Sequence, residues 1–168
     1  MREILIVGAG KSTAALIDYL LERAVEQNLK LKIGDKELEN AKNACRDRKH
    51  CEAIELDVFN KESREPAIQQ ADLVISMLPA RFHIEVARDC VKYNKHMVTA
   101  SYISDEMRAL DEEVKKKNLV FMNEIGVDPG IDHMSAMQVI DRIRDKGGKI
   151  LLFESFTGGL VAPESDNN

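Results

Sequence analysis

The stretch MREILIVGAGKSTAAL, residues 1–16, runs from a short apolar segment through a glycine-rich turn into a segment with helical spacing. The turn, GAGKST at 8–13, partly fits two nucleotide-binding motifs that predict different chemistry. A P-loop requires a glycine five residues before Gly10. That position is Leu5, inside the predicted strand. The loop is therefore too short to surround a phosphate with backbone N–H groups.

The dinucleotide-binding motif G-x-G-x-x-G explains the turn better. Gly8 and Gly10 occupy its first two glycine positions, and Thr13 stands at the third, where a small residue still permits close helix–strand packing. Gly8 allows the tight turn, and Gly10 lets the pyrophosphate of a dinucleotide approach the start of the helix. Lys11 and Ser12 fall within the same turn, and we favour a solvated Lys11 over a phosphate ligand.

The order of elements beyond the turn predicts a parallel sheet. Six apolar segments alternate with segments of helical spacing, connected by short loops. The predicted strands are 3–7, 29–34, 52–56, 72–78, 96–100 and 119–123, and the predicted helices are 12–26, 35–45, 61–70, 82–93 and 104–117. This alternation indicates βαβ units with right-handed crossovers. We therefore predict a doubly wound, Rossmann-like α/β domain over residues 1–129.

The pattern changes after residue 130. Residues 130–148 predict a longer helix, ended by Gly147 and Gly148, and residues 149–156 predict a seventh strand. A lone strand followed by a polar tail does not complete a domain. We expect either that this strand joins the edge of the first sheet or that 130–168 begins a substrate domain within a longer protein, and we favour the second.

Two carboxylates follow the second and third strands, at the edge where the glycine turn lies. Asp35 is near the position, about 20 residues after the turn, where a carboxylate binds the adenosine ribose hydroxyls. A carboxylate there repels a 2′-phosphate and favours NAD, while Lys36 beside it keeps NADP open. Asp35 could instead cap the following helix, and the two roles can coexist. Asp57 is expected either near the adenine or as a turn residue.

The ends of the fourth to sixth strands supply the candidates for chemistry, because the carboxyl ends of parallel strands line the ligand crevice. Residues 76–79, which include Leu78, are predicted on the nicotinamide side. Tyr102 follows the fifth strand and is either a packed aromatic residue or part of the site. Asp128 lies on the loop after the sixth strand and has no evident capping role, which makes it the strongest single candidate.

Composition narrows the class of partner. The 168 residues carry a formal net charge of −5, whereas a nucleic-acid partner would require a basic face. No apolar run approaches the roughly 20 residues of a membrane span, and the first residues show no export signal. We predict a cytoplasmic protein without nucleic-acid or membrane partners, with Cys45, Cys51 and Cys90 reduced. Cys45, His50 and Cys51 fit no zinc-ligand spacing, so no metal site is predicted.

Several further segments resemble one enzyme family. Besides the GAG turn, the chain contains DLVISMLP at 72–79, HMVTASYIS at 96–104, MNEIGVDPGIDHMSAM at 122–137 and GGLVAPESDNN at 158–168. Together these resemble the glutamate-forming saccharopine dehydrogenases, also called saccharopine reductases, over nearly the whole chain. The sequence departs from many relatives at Thr157, where they have cysteine, and at Val161, where they have proline. A required thiol is therefore not expected there.

The resemblance implies a role for each matching position. The positions that match cofactor-binding residues are Gly8, Gly10, Lys11, Ser12, Thr13, Asp35, Asp57, Val58, Ser101, Val127 and Pro129. Leu78 is a further cofactor-binding candidate, from its place at the end of the fourth strand. The positions that match substrate-binding residues are Ser101, Tyr102 and Asp128, and the last two are the predicted catalytic residues.

The implied reaction uses NAD, or NADP, to take a hydride from the carbon beside the secondary amine of saccharopine. The imine is then hydrolysed to glutamate and 2-aminoadipate 6-semialdehyde, a step of lysine metabolism. Tyr102 and Asp128 would orient the substrate or relay protons. A homodimer is an open expectation. Two alternatives stay open: a related amine oxidoreductase such as a carboxynorspermidine dehydrogenase, and an NAD(P)-binding module without turnover.

Overall fold

A six-stranded parallel sheet forms the centre of the computed structural model, which describes residues 1–156 and 158. The strands are β1 Arg2–Val7, β2 Leu29–Asp35, β3 Cys51–Glu55, β4 Leu73–Ser76, β5 His96–Thr99 and β6 Phe121–Met122. The helices are α1 Ala14–Glu22, α2 Leu38–Cys45, α3 Lys61–Gln70, α4 His83–Lys92, α5 Asp105–Arg108, α6 Asp111–Lys116 and α7 Ile131–Asp145, with short 3₁₀ turns at Lys11–Thr13 and Ala80–Phe82.

The central strand β1 shows why these residues form a sheet covered on both faces. Leu5 and Val7 pack into one core cluster, while Ile4 and Ile6 pack into the other, on the opposite face. Side chains alternate between faces along a strand, so an unbroken apolar run is buried only when helices cover both. Each such side chain contributes roughly 1.5–3 kcal/mol of burial free energy.

The strand order, β3-β2-β1-β4-β5-β6, confirms the predicted doubly wound fold. Every strand pair is parallel, with Val7 opposite Gly34 of β2 and opposite Ser76 of β4. The direction of winding reverses between β1 and β4. Ligands bind outside the carboxyl ends of the strands at such a reversal, which is where the glycine turn follows β1.

The element bounds differ from the sequence prediction at several places. The predicted helix 104–117 is two short helices, each with one buried residue, Met107 in α5 and Val114 in α6. Ser104 caps α5 by accepting a hydrogen bond from the Met107 N–H at 3.2 Å. The edge strand β6 has only two residues and pairs with β5 alone.

A second compact unit begins at His133, while Met1–Asp132 forms the first. Helix α7 ends as predicted: Gly147 has φ +75° and the Gly148 N–H donates to the Ile143 carbonyl at 2.9 Å. None of the α7 residues is buried. The predicted seventh strand is wrong, because the described residues 149–156 form no strand. Thr157 and Val161 lie outside the described residues. The domain boundary at 129/130 stays a prediction.

The cysteines correct one expectation. Cys45, at the end of α2, and Cys51, at the start of β3, form a disulfide with a Cα–Cα distance of 5.5 Å, so the prediction that all three thiols are reduced is wrong for this pair. The prediction rested on compartment and spacing motifs and ignored that a helix end and a strand start six residues apart can meet. Cys90 is free and fully buried. In the part of the chain described here, no helix is long and apolar enough to cross a membrane.

Candidate functional site

The glycine turn after β1 requires glycine at its first position. Gly8 has φ +102° and its N–H donates to the Gly34 carbonyl at 2.7 Å. A Cβ at Gly8 would lie 2.9 Å from the Met77 carbonyl oxygen. Gly10 differs, since a Cβ there would meet no atom within 4 Å. The protein therefore leaves open space at Gly10, as the close approach of a pyrophosphate requires.

Thr13 fills the third position of the motif without disturbing the turn. Its side chain is buried, and its hydroxyl donates to the Gly10 carbonyl at 2.5 Å. The Thr13 N–H donates to the same carbonyl at 3.0 Å. The hydroxyl thus finds a partner inside the turn, which explains how a polar residue replaces glycine there. Lys11 and Ser12 are exposed.

Asp35, at the end of β2, is tied to the glycine turn. Its Oδ2 accepts a hydrogen bond from the Ala9 N–H at 2.8 Å. Its Oδ1 accepts from the Glu37 N–H at 3.0 Å and from the Asn40 side chain at 3.2 Å. Helix α2 begins only at Leu38, so Asp35 orders the residues before the helix rather than standing at its N-cap. The role of Asp35 at the ribose stays a prediction.

A cavity of about 300 Å³ lies beside the turn and has the residues predicted for the adenosine end of the cofactor in its wall. Its lining includes Asp35, Lys36, Asp57 and Val58, together with Gly8 of the turn and Leu78, which was predicted on the nicotinamide side. Asp57 accepts a hydrogen bond from the Phe59 N–H at 2.9 Å and lies 3.7 Å from the Lys36 ammonium. Asp57 is therefore a turn residue, as one of the two predictions had it. It also lines the cavity, so a contact with adenine stays a prediction.

Sequence reasoning missed two aromatic residues in the wall of this cavity. Phe59 and Phe82 meet edge to face, with ring centroids 4.9 Å apart. They follow β3 and β4 respectively, and Phe59 is largely exposed. Their positions shortly after two strands, at the edge where the strands end, could have marked them as candidates in the sequence. An exposed ring offers a stacking surface to a planar base.

Tyr102 and Asp128, predicted separately, are brought together. The Tyr102 hydroxyl donates to Asp128 Oδ1 at 2.6 Å, across 26 residues of sequence. This hydrogen bond raises the pKa of the Tyr102 hydroxyl, and the negative charges of Asp132 and Glu124 add to the rise. Tyr102 therefore keeps its proton at neutral pH. The pair offers a phenol donor beside an exposed carboxylate acceptor.

The loop that carries Asp128 is closed by its own backbone. The Gly126 N–H donates to the Pro129 carbonyl at 2.8 Å, and the Ile131 N–H donates to the Gly126 carbonyl at 3.0 Å. Gly130 has φ +146° and no room for a Cβ, which would lie 2.3 Å from the Gly126 carbonyl oxygen. Pro129 is buried, whereas Val127 and Asp128 are exposed. The loop thus presents two of its predicted ligand-binding residues outward.

His83, at the start of α4, is the polar residue that residue-by-residue reasoning missed. It is buried and lies between the ends of β4 and β5. Its Nδ1 is 2.8 Å from the Ser76 hydroxyl, and its Nε2 is 2.7 Å from the Ser101 hydroxyl and 3.2 Å from that of Thr99. Burial lowers the pKa of the imidazole. The signals in the sequence were a histidine shortly after a buried strand and its proline, and the resemblance of Phe82-His83 to the family.

Comparison with known families now decides the relationship. Residues 4–122 match the family model of the saccharopine dehydrogenase NADP binding domain, and residues 126–168 match that of the saccharopine dehydrogenase C-terminal domain. The chain belongs to the saccharopine dehydrogenase family. The predicted resemblance is thereby confirmed, and the first unit contains an NAD(P)-binding domain of this family.

Individual relatives agree with the family match. Saccharopine dehydrogenase (NADP+, L-glutamate-forming) of Pyricularia oryzae is 38% identical over 167 residues, covering 99% of this chain and 36% of that protein. Alpha-aminoadipic semialdehyde synthase of Arabidopsis thaliana is 43% identical over 131 residues, covering 78% of this chain and 12% of that protein. The chain thus spans little more than a third of its fungal relative.

Two solved structures share the fold of this chain. The apo saccharopine dehydrogenase (L-Glu forming) of Saccharomyces cerevisiae aligns with a TM-score of 0.79 at 32% identity, covering 88% of this chain and 32% of that one. Biliverdin reductase of Synechocystis, in complex with biliverdin and NADP+, aligns with a TM-score of 0.60 at 19% identity, covering 88% of this chain and 43% of that one. The second likeness concerns the fold alone.

Proposed function

We propose that this chain supplies the NAD(P)-binding part of a glutamate-forming saccharopine dehydrogenase of lysine metabolism. The proposed reaction oxidises the carbon beside the secondary amine of saccharopine, and water then releases glutamate and 2-aminoadipate 6-semialdehyde. The observation that carries the proposal is the Tyr102–Asp128 hydrogen bond at the same sheet edge as the glycine turn, in a chain of this family. The names of the fungal relatives support the substrate.

The residues at this edge fit a dinucleotide. Gly10 leaves its backbone open to a pyrophosphate, and the cavity beside Gly8 and Asp35 is lined by apolar and acidic groups suited to an adenosine. The nicotinamide ring, when bound, accepts the hydride. The predicted contacts of Ser101, Val127 and Pro129 with the cofactor belong to this proposal, as does the contact of Leu78.

Tyr102 and Asp128 act on protons in the proposed reaction. The Tyr102 hydroxyl carries a single proton, which it donates to Asp128, and its oxygen can accept a hydrogen bond from the substrate amine. Asp128 accepts at its carboxylate and can orient the substrate amine or take a proton through the phenol. The side chain of Ser101, directly before Tyr102, offers a further hydroxyl to either ligand. The roles of the pair are complementary, because one donates where the other accepts.

Asp35 and Lys36 make opposite demands on the cofactor. The Asp35 carboxylate favours the free ribose hydroxyls of NAD, whereas the exposed Lys36 ammonium can pair with the 2′-phosphate of NADP. Asp35→Ala should weaken the binding of NAD more than that of NADP, and Lys36→Ala should do the reverse. Titration of each variant with NADH and NADPH by fluorescence measures both affinities. If each variant loses the same affinity for NADH as for NADPH, neither residue discriminates between the two cofactors.

The decisive experiment mixes the natural full-length protein with saccharopine and either NAD or NADP, and follows absorbance at 340 nm. Absorbance should rise with at least one cofactor, and no rise with either overturns the saccharopine proposal. Reduced-cofactor binding without turnover would support the non-catalytic module, and turnover of carboxynorspermidine alone would support the related amine oxidoreductase.

Single variants test the proposed pair. Tyr102→Phe and Asp128→Asn should each lower kcat about 100-fold, the usual contribution of a positioned proton-transfer group. Asp111→Asn is the matched control, since it makes the same change of charge in an exposed ion pair with Lys115 on α6. Turnover by Asp128→Asn equal to that of the control would exclude Asp128 from the site.

The proposal also includes cytoplasmic localisation and a homodimer, without nucleic-acid or membrane partners.

A further inference from the structure

We infer that His83 is a positioning residue for the proposed reaction, because its imidazole fixes the Ser101 hydroxyl and thereby the Ser101–Tyr102 segment at the end of β5. The inference rests on the proposed function, since it assigns His83 a part in that same site. No side chain other than His83 joins the ends of β4 and β5 among the hydrogen bonds of the described residues.

The imidazole contacts Ser101, the residue directly before Tyr102, so a displacement of the ring would be passed on to the predicted catalytic pair. Its two nitrogens contact hydroxyls on two adjacent strands, Ser76 Oγ at the end of β4 and Ser101 Oγ just after β5. Ser101 is held at two other atoms as well. Its carbonyl accepts from the Glu124 N–H at 3.1 Å, and its N–H donates to the Thr99 hydroxyl at 3.4 Å. His83 therefore supplies the third anchor of Ser101, at its side chain, besides those at the carbonyl and the N–H.

A neutral imidazole suits this place. Hydroxyl groups can donate or accept, so either nitrogen can carry the proton while both remain hydrogen-bonded. Ser76 is fully buried, and loss of its imidazole partner would leave its hydroxyl without one. The low pKa that burial gives His83 is consistent with a neutral ring.

The connection from His83 to Tyr102 is short. Both residues line one cavity of about 250 Å³, together with Ser104 and Asn123. Tyr102 follows Ser101 directly in sequence, and its hydroxyl is the donor to Asp128. A shift of Ser101 by a fraction of an ångström therefore changes the distance between Tyr102 and Asp128. Misplacement of a catalytic group by about 1 Å can lower the rate by about 100-fold.

Two amide variants separate positioning from plain structural support. The Asn side chain can place a polar atom near the position of Nδ1, which keeps the contact with Ser76 and loses that with Ser101. The longer Gln side chain can reach the position of Nε2, which keeps the contact with Ser101 and loses that with Ser76. His83→Asn thus loses the contacts of Nε2 with Ser101 and Thr99, and His83→Gln loses the contact of Nδ1 with the buried Ser76. Thermal unfolding midpoints of both variants show whether kcat merely follows stability. In the natural full-length protein, His83→Asn should lower kcat about tenfold more than His83→Gln, with KM for saccharopine changed less than kcat.

A double variant tests whether His83 acts through Ser101. In the Ser101→Ala background, His83→Asn should lower kcat no further, because the hydroxyl that it positions is gone. Equal kcat for the Asn and Gln variants, or full additivity with Ser101→Ala, would overturn the inference. Failure of the proposed function looks different, since the wild-type protein would then not turn over saccharopine. In that event, Ser101→Ala and His83→Asn should still weaken NADPH binding measured by fluorescence, whereas His83→Gln should weaken it less; equal affinities would again overturn the inference.

Discussion

The two halves of the sheet edge hold their functional groups by different means. In the nucleotide half, formed by the ends of β1, β2 and β3, backbone groups make the decisive hydrogen bonds, such as Gly8 to Gly34 and Ala9 to Asp35. In the reaction half, formed by the ends of β4, β5 and β6, side chains bond to side chains, as in the Tyr102–Asp128 contact.

The difference follows from what each half has to bind. A pyrophosphate requires backbone N–H groups and close approach, which small residues in one short stretch supply. Proton transfer requires particular side chains at matched distances, and these come from separate strands. We therefore expect substitutions in the nucleotide half to act mainly through stability and affinity, and those in the reaction half to act mainly through turnover. The following predictions test that division, from the largest expected effect on stability to the smallest.

The largest effect is expected at Arg64, a buried side chain on α3 that supports the nucleotide half through the Val58 carbonyl. Its guanidinium donates to the Val58 carbonyl and pairs with Asp89 at 2.6 Å. Arg64→Leu leaves the buried Asp89 carboxylate without this partner and should lower the free energy of unfolding by about 3–5 kcal/mol. Urea denaturation measures the loss. Arg64→Leu combined with Asp89→Leu should be more stable than Arg64→Leu alone, and an equally unstable double variant would contradict this explanation.

Gly8 and Gly10 form a matched pair for the next test. Gly8→Ala forces a positive φ on alanine and a clash with the Met77 carbonyl, which should reduce stability by about 1–3 kcal/mol. Gly10 has φ −68°, and its Cβ position is open, so Gly10→Ala should leave stability within about 0.5 kcal/mol. Gly10→Ala should nevertheless weaken NAD(P)H binding, because the added methyl group blocks the pyrophosphate. Thermal unfolding and fluorescence titration measure the two effects separately.

Reduction of the Cys45–Cys51 disulfide should have a moderate effect confined to stability. The bridge closes a short loop between α2 and β3, and the chain-entropy relation gives about 2 kcal/mol for a loop of this size. Dithiothreitol should lower the unfolding midpoint of the wild-type protein and leave the affinity for NADPH unchanged. The Cys45→Ser/Cys51→Ser variant is the control, since its midpoint should not respond to dithiothreitol. An equal response of both proteins would contradict the disulfide.

The smallest effect is a pH dependence that originates in the reaction half. The folded state lowers the pKa of His83, so the unfolded chain binds a proton more readily at that residue. The stability is complete above the unfolded pKa of about 6.5, and it falls as pH decreases towards the lower folded pKa. Glu106, which lines the same cavity, keeps its charge over that range, because hydrogen bonds from its own backbone N–H and from the Ser104 hydroxyl lower the pKa of its carboxyl. Urea denaturation between pH 7.5 and 5 should show this loss in the wild-type protein and a smaller one in His83→Gln.

Much of the nucleotide half was predictable because its signals are local. The run from Leu5 to Thr13 contains a strand, a turn and a helix start, and the alternation of segments predicts the parallel sheet around them. Tyr102 and Asp128 were predictable as strand-end residues, although their direct contact was not. Periodicity shows which strand ends share an edge, but it does not show which side chains meet there.

The remaining features depend on tertiary contacts. The role inferred for His83 depends on its contacts with Ser76 and Ser101, which lie 7 and 18 residues away in sequence. The sequence alone does not show these contacts. The Cys45–Cys51 bridge depends on how α2 ends against β3. The strand predicted at 149–156 relied on an apolar pattern alone, and in the described residues no neighbouring strand pairs with it. An apolar pattern without a hydrogen-bonding partner does not make a strand stable.

The hydrogen bond from Ala9 to Asp35 has a consequence for any attempt to change the cofactor preference. One carboxylate supports the turn that receives the pyrophosphate and stands at the predicted ribose position. Substitutions that delete it alter discrimination and turn geometry together, so every dinucleotide loses affinity. Redesign towards either cofactor should therefore retain an acceptor at position 35, as in Asp35→Asn or Asp35→Ser, and should change the charge elsewhere.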